Sequence, residues 1–213
     1  MTRIAGVDEA GRGPIIGPMV IALVGTDESK IHILEKLGVK DSKLLTPSRR
    51  ERLRRLLEQI LDYVTIRVIQ PQEIDEAVRG TKYKNLNHLE LLIVAELIRK
   101  AVSEFKVERV YVDSPDPVPG RFEEQLYSIV NGTVEIVAEN HADSRYTIVA
   151  AASIIAKTER EKLIEELKRT YGDFGSGYPS DPKTRTFVKK LLETSRELPP
   201  IVRKSWKTLE RLR

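Results

Sequence analysis

The chain has 213 residues, 40% hydrophobic and 32% charged, with 36 Lys+Arg against 32 Asp+Glu and no cysteine. That length suits one domain with a small terminal appendage and can bury a core, while the missing cysteines exclude disulfides, thiolate metal sites and cysteine nucleophiles. The longest apolar run, Tyr146 to Ala156, is interrupted by Thr147 and Ser153 and falls short of the ~18 residues of a membrane helix; with no signal-like N-terminus, a cytoplasmic protein is expected.

In chain order, Arg3–Glu9 reads as a strand and Gly17–Gly25 as a second, apolar one. The turn-rich piece Ala10–Pro18 joins them, so they are expected to pair antiparallel. Ile31–Leu37 is a short helix ended by Gly38. Thr46 caps a helix that runs through Leu61, with Pro47 at the first position, where its missing N–H costs nothing. The apolar stripe of that helix is Leu53, Leu56, Leu57, Ile60 and Leu61. Tyr63–Ile69 alternates as a third strand, and Glu73–Val78 is a short helix. Leu86–Phe105 is a long helix with Leu89, Leu92, Ile93 and Leu97 among its core positions.

Val107–Val112 is a fourth strand, followed by Asp113-Ser114-Pro115. Phe122–Val130 is a helix closed by Asn131-Gly132, and Val134–Ala138 is the fifth strand. A long helix covers about 146–170, and 171–182 is a Gly/Pro-rich loop. Two helices, Lys183–Thr194 and Pro200–Leu212, close the chain. The fold class is α/β: a five-stranded mixed sheet flanked by helices, with a small C-terminal helical appendage. The first three strands read as a meander and the last two as parallel additions.

Asp8-Glu9 stands at the end of the first strand, before Ala10-Gly11-Arg12-Gly13-Pro14. Adjacent strand residues point to opposite faces unless the chain bends, and the glycines favour a bend. Asp113 lies at the end of the fourth strand and Asp143 after the fifth. Neighbouring strands would bring these acids to one sheet edge, where open α/β sheets place their ligands. Four carboxylates together repel one another and are tolerable only around a hard cation. Mg²⁺ and Mn²⁺ prefer such oxygen ligands. Two of them about 4 Å apart suit phosphodiester hydrolysis, one activating water and the other stabilising the leaving oxygen. Taken singly, the residues have plainer readings. Asp143 reads as a neighbour of a helix N-cap, Asp113 as a turn residue, and His141 as a surface histidine.

From Gly6 to Pro14, Gly-Val-Asp-Glu-Ala-Gly-Arg-Gly-Pro, the sequence resembles ribonuclease HII. Further segments agree in order: Gly17-Pro18-Met19-Val20, Lys40-Asp41-Ser42-Lys43, Tyr111-Val112-Asp113-Ser114, Ala142-Asp143, the run from Ala151 to Lys157, and the run from Gly175 to Pro182. The resemblance covers about residues 4 to 190 and looks most like archaeal members. It implies a ribonuclease H-like catalytic domain at 1–172, with a substrate-contacting loop and C-terminal helices at 173–213 packed on it. It also implies an endonuclease that cuts RNA–DNA hybrids, and duplex DNA 5′ of single embedded ribonucleotides, with a place in ribonucleotide excision repair and DNA replication.

By that resemblance Asp8, Glu9, Asp113 and Asp143 match the four catalytic, metal-binding acids, which hold two Mg²⁺ or Mn²⁺ ions. Gly11, Arg12 and Gly13 match a loop that reads the ribose 2′-hydroxyl largely through backbone groups. Glycine lets a backbone approach a sugar closely, and the 2′-hydroxyl is what distinguishes RNA from DNA. Tyr178 matches a tyrosine at the RNA–DNA junction; read without the resemblance, it is a loop aromatic plugging the core. Lys43 resembles a phosphate-contacting lysine, and Arg12, Lys157 and Arg185 are weaker candidates for that role.

Basic residues outnumber acidic ones by six between Lys157 and Arg213, which suits a polyanionic partner. Lys189, Lys190, Arg203, Lys204 and Lys207 are the expected contributors. A solvated helix surface is the competing reading. The segment Trp206–Arg213 has no pair of aromatics of the kind clamp-binding peptides carry, which puts a sliding-clamp partner in doubt. A monomer is expected. Two other functions compete: a non-catalytic hybrid-binding protein, and another nuclease or recombinase of the same fold, such as a junction resolvase or integrase. The Gly11-Arg12-Gly13 loop with Tyr178 argues against the latter, and the four acids against the former.

Overall fold

The protein is described here by a computed structural model covering residues 2–39, 46–118, 120–132 and 134–212. Its strands are β1 (Arg3–Ala10), β2 (Met19–Asp27), β3 (Tyr63–Ile69), β4 (Arg109–Asp113) and β5 (Glu135–Glu139). They form one mixed sheet in the order β3-β2-β1-β4-β5, with β4 parallel to both β1 and β5. The helices are α1 (Ile31–Lys36), α2 (Pro47–Ile60), α3 (Pro71–Arg79), α4 (Leu86–Glu104), α5 (Arg121–Ile129), α6 (Ala142–Arg145), α7 (Thr147–Tyr171), α8 (Pro182–Thr194) and α9 (Lys207–Leu212). Among the described residues no helix is long and apolar enough to cross a membrane.

The residues gather into two compact units. The first comprises Met1–Ala10, Ile21–Arg67 and Glu90–Thr158, and holds most of the sheet. The second comprises Gly11–Val20, Val68–Leu89 and Glu159–Arg213. The second has a core of its own, built on Ile15, Ile16, Ile164, Phe174, Val188, Ile201, Val202, Leu209 and Leu212.

Local chemistry explains the helix starts. The Thr46 hydroxyl accepts from the Arg49 N–H at 3.4 Å ahead of Pro47. Asp181 likewise accepts from the Lys183 N–H at 2.9 Å ahead of Pro182. Each cap satisfies a donor that the first turn leaves unpaired. In the first unit the opening turn of α7 lies directly on β1. A side-chain carbon on Gly6 would stand 2.4 Å from the Ile148 carbonyl carbon, so only glycine admits this approach, two residues before Asp8.

Several expectations need correction. β2 begins and ends two residues later than its apolar run suggests. The last expected helix shrinks to α9, because residues 200–206 form turns and a bridge. Ile16 pairs with Val202 there. The Gly17 N–H donates to the Ile201 carbonyl at 2.8 Å, and the Arg203 N–H to the Ile15 carbonyl at 2.9 Å. Those long-range bonds take up backbone groups that a helix would use internally. The four-residue α6 is a separate element that periodicity does not distinguish from the loop before α7. Leu56 and Leu92, placed in apolar stripes, are 37% and 38% exposed.

Candidate active site

Parallel pairing sets the first group of residues. Val7 registers with Val112, so the next residues, Asp8 and Asp113, lie side by side on adjacent strands. Asp8, Glu9 and Asp113 each offer a carboxylate oxygen, and these oxygens lie within 4.8 Å of one another. Asp113 registers in turn with Glu139 of β5, but Glu139 is engaged by Arg145 in an ion pair. Asp143 is not part of the three-acid group. It is buried on α6, and its chain neighbour Ala142 donates its N–H to Asp113 at 3.0 Å. The loop after β4 is fastened by Asn140, whose amide donates to the Ser114 and Asp116 carbonyls. A buried Asp116 carboxylate paired with Arg121 at 2.6 Å holds it further. His141 is exposed, as expected of a surface histidine.

Asp8 is 5% exposed. Burial pushes its carboxyl well above the usual range, and the charges of Glu9 and Asp113 push it further. A hydrogen bond to Ser153 and the charge of Lys157 act the other way. Lys157 donates to the Ser153 hydroxyl at 2.7 Å, so a lysine supports the acid through a hydroxyl. Ser153 is the interruption in the apolar run of α7, and that was the signal in the sequence.

A buried cluster of mutually repelling oxygens is what a hard divalent cation relieves. This gives a test without catalysis. A carboxyl whose folded pKa exceeds its unfolded one favours the fold while protonated, and loses that contribution as pH rises through the folded value. Asp8→Asn is therefore expected to melt higher than wild type in chelator near pH 8. Mg²⁺ is expected to raise the wild-type melting temperature, and to do so less near pH 5.5, where protons compete for Asp8. Equal Mg²⁺ shifts in wild type and Asp8→Asn would speak against an ion at this cluster.

The second unit holds the loop residues. Gly11 has φ +86°, and a side-chain carbon there would stand 2.2 Å from the Arg160 Nε. Gly11 is buried and Gly13 exposed. The Arg12 guanidinium donates to the Asn87 side chain at 2.6 Å. Tyr178 is 39% exposed, whereas Phe174, four residues earlier, is 0% exposed. The core plug of this loop is thus Phe174, which corrects the plainer reading of Tyr178. The Arg160 guanidinium lies 5.4 Å from the Tyr178 ring centroid. The Gly177 carbonyl accepts from the Ile15 and Ile16 N–H groups, and the Gly177 N–H donates to Thr184 at 3.0 Å. The backbone beside Tyr178 is therefore held independently of its ring.

Lys43 and its motif lie outside the described residues. Arg185, Lys189, Lys190, Lys204 and Lys207 are exposed, but Arg203 is 0% exposed and cannot reach a phosphate. Its charge counts toward the basic face by composition, and its burial was not legible. Neutralising Lys189, Lys190, Lys204 and Lys207 together is expected to weaken duplex binding. For every phosphate left without its lysine, the magnitude of d log K/d log[salt] should fall by about 0.7–0.9. An unchanged slope in a salt titration would return these lysines to a solvated surface.

A family model described as ribonuclease HII matches residues 5–209. The ribonuclease HII of Thermofilum pendens is 55% identical over 213 residues, with 100% of both chains covered. The crystal structure of the ribonuclease H2 from Pyrococcus horikoshii OT3 matches with a TM-score of 0.88 at 44% identity, covering 99% of this chain and 97% of that one. The Archaeoglobus fulgidus RNase HII, solved in complex with PCNA, matches with a TM-score of 0.84 at 44% identity, covering 99% and 96%.

Proposed function

The chain belongs to the ribonuclease HII family, hydrolases of RNA in RNA–DNA hybrids, and on that premise we propose that it cuts on the 5′ side of a ribonucleotide. Its substrates are RNA–DNA hybrids and duplex DNA with single embedded ribonucleotides, and its products carry 3′-hydroxyl and 5′-phosphate ends. The observation that carries this reading is the placement of Asp8, Glu9 and Asp113 within 4.8 Å. Their chemistry fits hard divalent cations, Mg²⁺ or Mn²⁺, with Asp143 as the fourth ligand. Bound there, such ions lower the pKa of water and stabilise charge on phosphoryl oxygens.

The chain's own residues do the rest. Ser153 and Lys157 hold Asp8 in place and offset its charge. Backbone groups of Gly11, Arg12 and Gly13 meet the ribose, and Tyr178 packs on the next sugar. Lys43 is assigned to a phosphate. A non-catalytic hybrid binder would gain nothing from acids clustered where phosphates must approach. The Archaeoglobus relative was solved with PCNA; residues 206–213 here have no paired aromatics, and no clamp partner is proposed. Incubating labelled duplex DNA carrying one ribonucleotide with the protein, with and without Mg²⁺, tests the proposal. Mg²⁺-dependent cutting 5′ of the ribonucleotide is expected. Binding without cutting, or cutting of all-deoxy duplex, would overturn it.

A further inference from the structure

We infer that the turn Arg203–Trp206 is a positioning device for the Gly11-Arg12-Gly13 loop, and that Arg203 determines how sharply the protein distinguishes a ribonucleotide from a deoxyribonucleotide. The inference rests on the proposed reading of that loop as the ribose-recognising element. Arg203 is the largest fully buried side chain among the described residues. Its Nη2 donates to the Gly11 carbonyl at 2.6 Å, its Nη1 to the Arg12 carbonyl at 2.8 Å and its Nε to the Gly17 carbonyl at 3.0 Å. The Trp206 indole N–H donates to the Gly13 carbonyl at 3.1 Å, and its ring lies 4.9 Å from the Arg203 guanidinium. Three successive loop carbonyls are thus held by one C-terminal turn.

A trans peptide is planar, with its C=O and the following N–H pointing opposite ways. Fixing the Gly11 and Arg12 carbonyls on Arg203 therefore directs the Arg12 and Gly13 N–H groups away from it. Fixing the Gly13 carbonyl adds no third donor, because the next residue is Pro14. The Gly13 N–H is thereby turned to the side where a hydroxyl oxygen can accept it. Among the described residues the Gly13 N–H has no protein acceptor.

The arrangement is costly. Arg160 is buried close by, with its Nε on the Pro18 carbonyl at 3.2 Å, and among the described residues neither arginine has a carboxylate within salt-bridge distance. Burial, then the charge of Arg160, push the Arg203 guanidinium down to about 9. A hydrophobic side chain would fill the core without that penalty. What a hydrocarbon cannot do, and one planar fork can, is grip three carbonyls at once.

Arg203→Lys keeps the charge and loses the fork. The test is fluorescence anisotropy in chelator, with one duplex carrying a single ribonucleotide and a matched all-deoxy duplex. The ratio of the two affinities is expected to fall about tenfold, the upper range of one net hydrogen bond. The all-deoxy affinity should hold, since it rests on phosphates. An unchanged ratio in a variant that melts cooperatively, or an equal loss on both duplexes, overturns the inference. If wild type itself shows no preference, the reading of the loop fails, not that of Arg203 alone. Should the lysine variant not fold, amide exchange of wild type decides. The Gly13 N–H should exchange as an exposed amide, and become protected by the ribonucleotide duplex but not by the all-deoxy one. Strand-like protection in the free protein overturns the inference.

Discussion

Asp113→Asn is expected to leave the fold intact and to reduce cleavage by about a thousandfold or more. The substitution is isosteric, and the Asp113 oxygen that accepts from the Ala142 N–H at 3.0 Å has an amide oxygen to replace it. What is lost is a charge beside Asp8 and Glu9. Metal-assisted stabilisation of the reacting phosphate is worth several kcal/mol, and about 4 kcal/mol corresponds to a thousandfold in rate. Asp8→Asn is expected to behave alike. Circular dichroism with a Mg²⁺ cleavage assay checks both. Near-wild-type rates in the two variants would sink the acid cluster as the catalytic centre.

The second large effect is expected at Tyr178. Tyr178→Ala should lose at least about tenfold on a single embedded ribonucleotide, and less on a continuous RNA–DNA hybrid, where no deoxyribose follows the cut. Stacking interactions of this kind are worth roughly 1–3 kcal/mol and a hydrogen bond about 0.5–1.5, so Tyr178→Phe should fall between. The half-exposed ring and a backbone anchored through Gly177 predict melting temperatures close to wild type for both. Equal losses on both substrates would remove Tyr178 from the junction. A clear drop in melting temperature would make it a packing residue.

Much of this was legible because it is local. Strand and helix periods placed Asp8 and Asp113 at strand ends, and the pair Thr46-Pro47 marked the start of α2. One helix reading and two core positions failed where tertiary structure intervened. Residues 200–206 look helix-compatible by composition, but pair with 15–17 instead. Leu56 and Leu92 satisfy a helical period in helices that do form, yet each side chain is more than a third exposed. The support of Asp8 by Ser153 and Lys157 was half visible, as two polar positions four apart, one within and one just after the apolar stretch that opens α7.

By itself the sequence determined the acids, their order, the glycines and the family resemblance, because each depends on residue type and short-range spacing. The tertiary structure alone decided which residues meet. The register of Val7 with Val112 gathers three acids and leaves Asp143 outside that group. It turned Phe174 inward and Tyr178 outward, though both are aromatic and lie in one loop. It also buried Arg203, which by composition belonged to a solvated basic face. A charge goes inside only where enough acceptors converge on it, and the carbonyls of Gly11, Arg12 and Gly17 converge there from about 190 residues away in the chain, a distance no local pattern records.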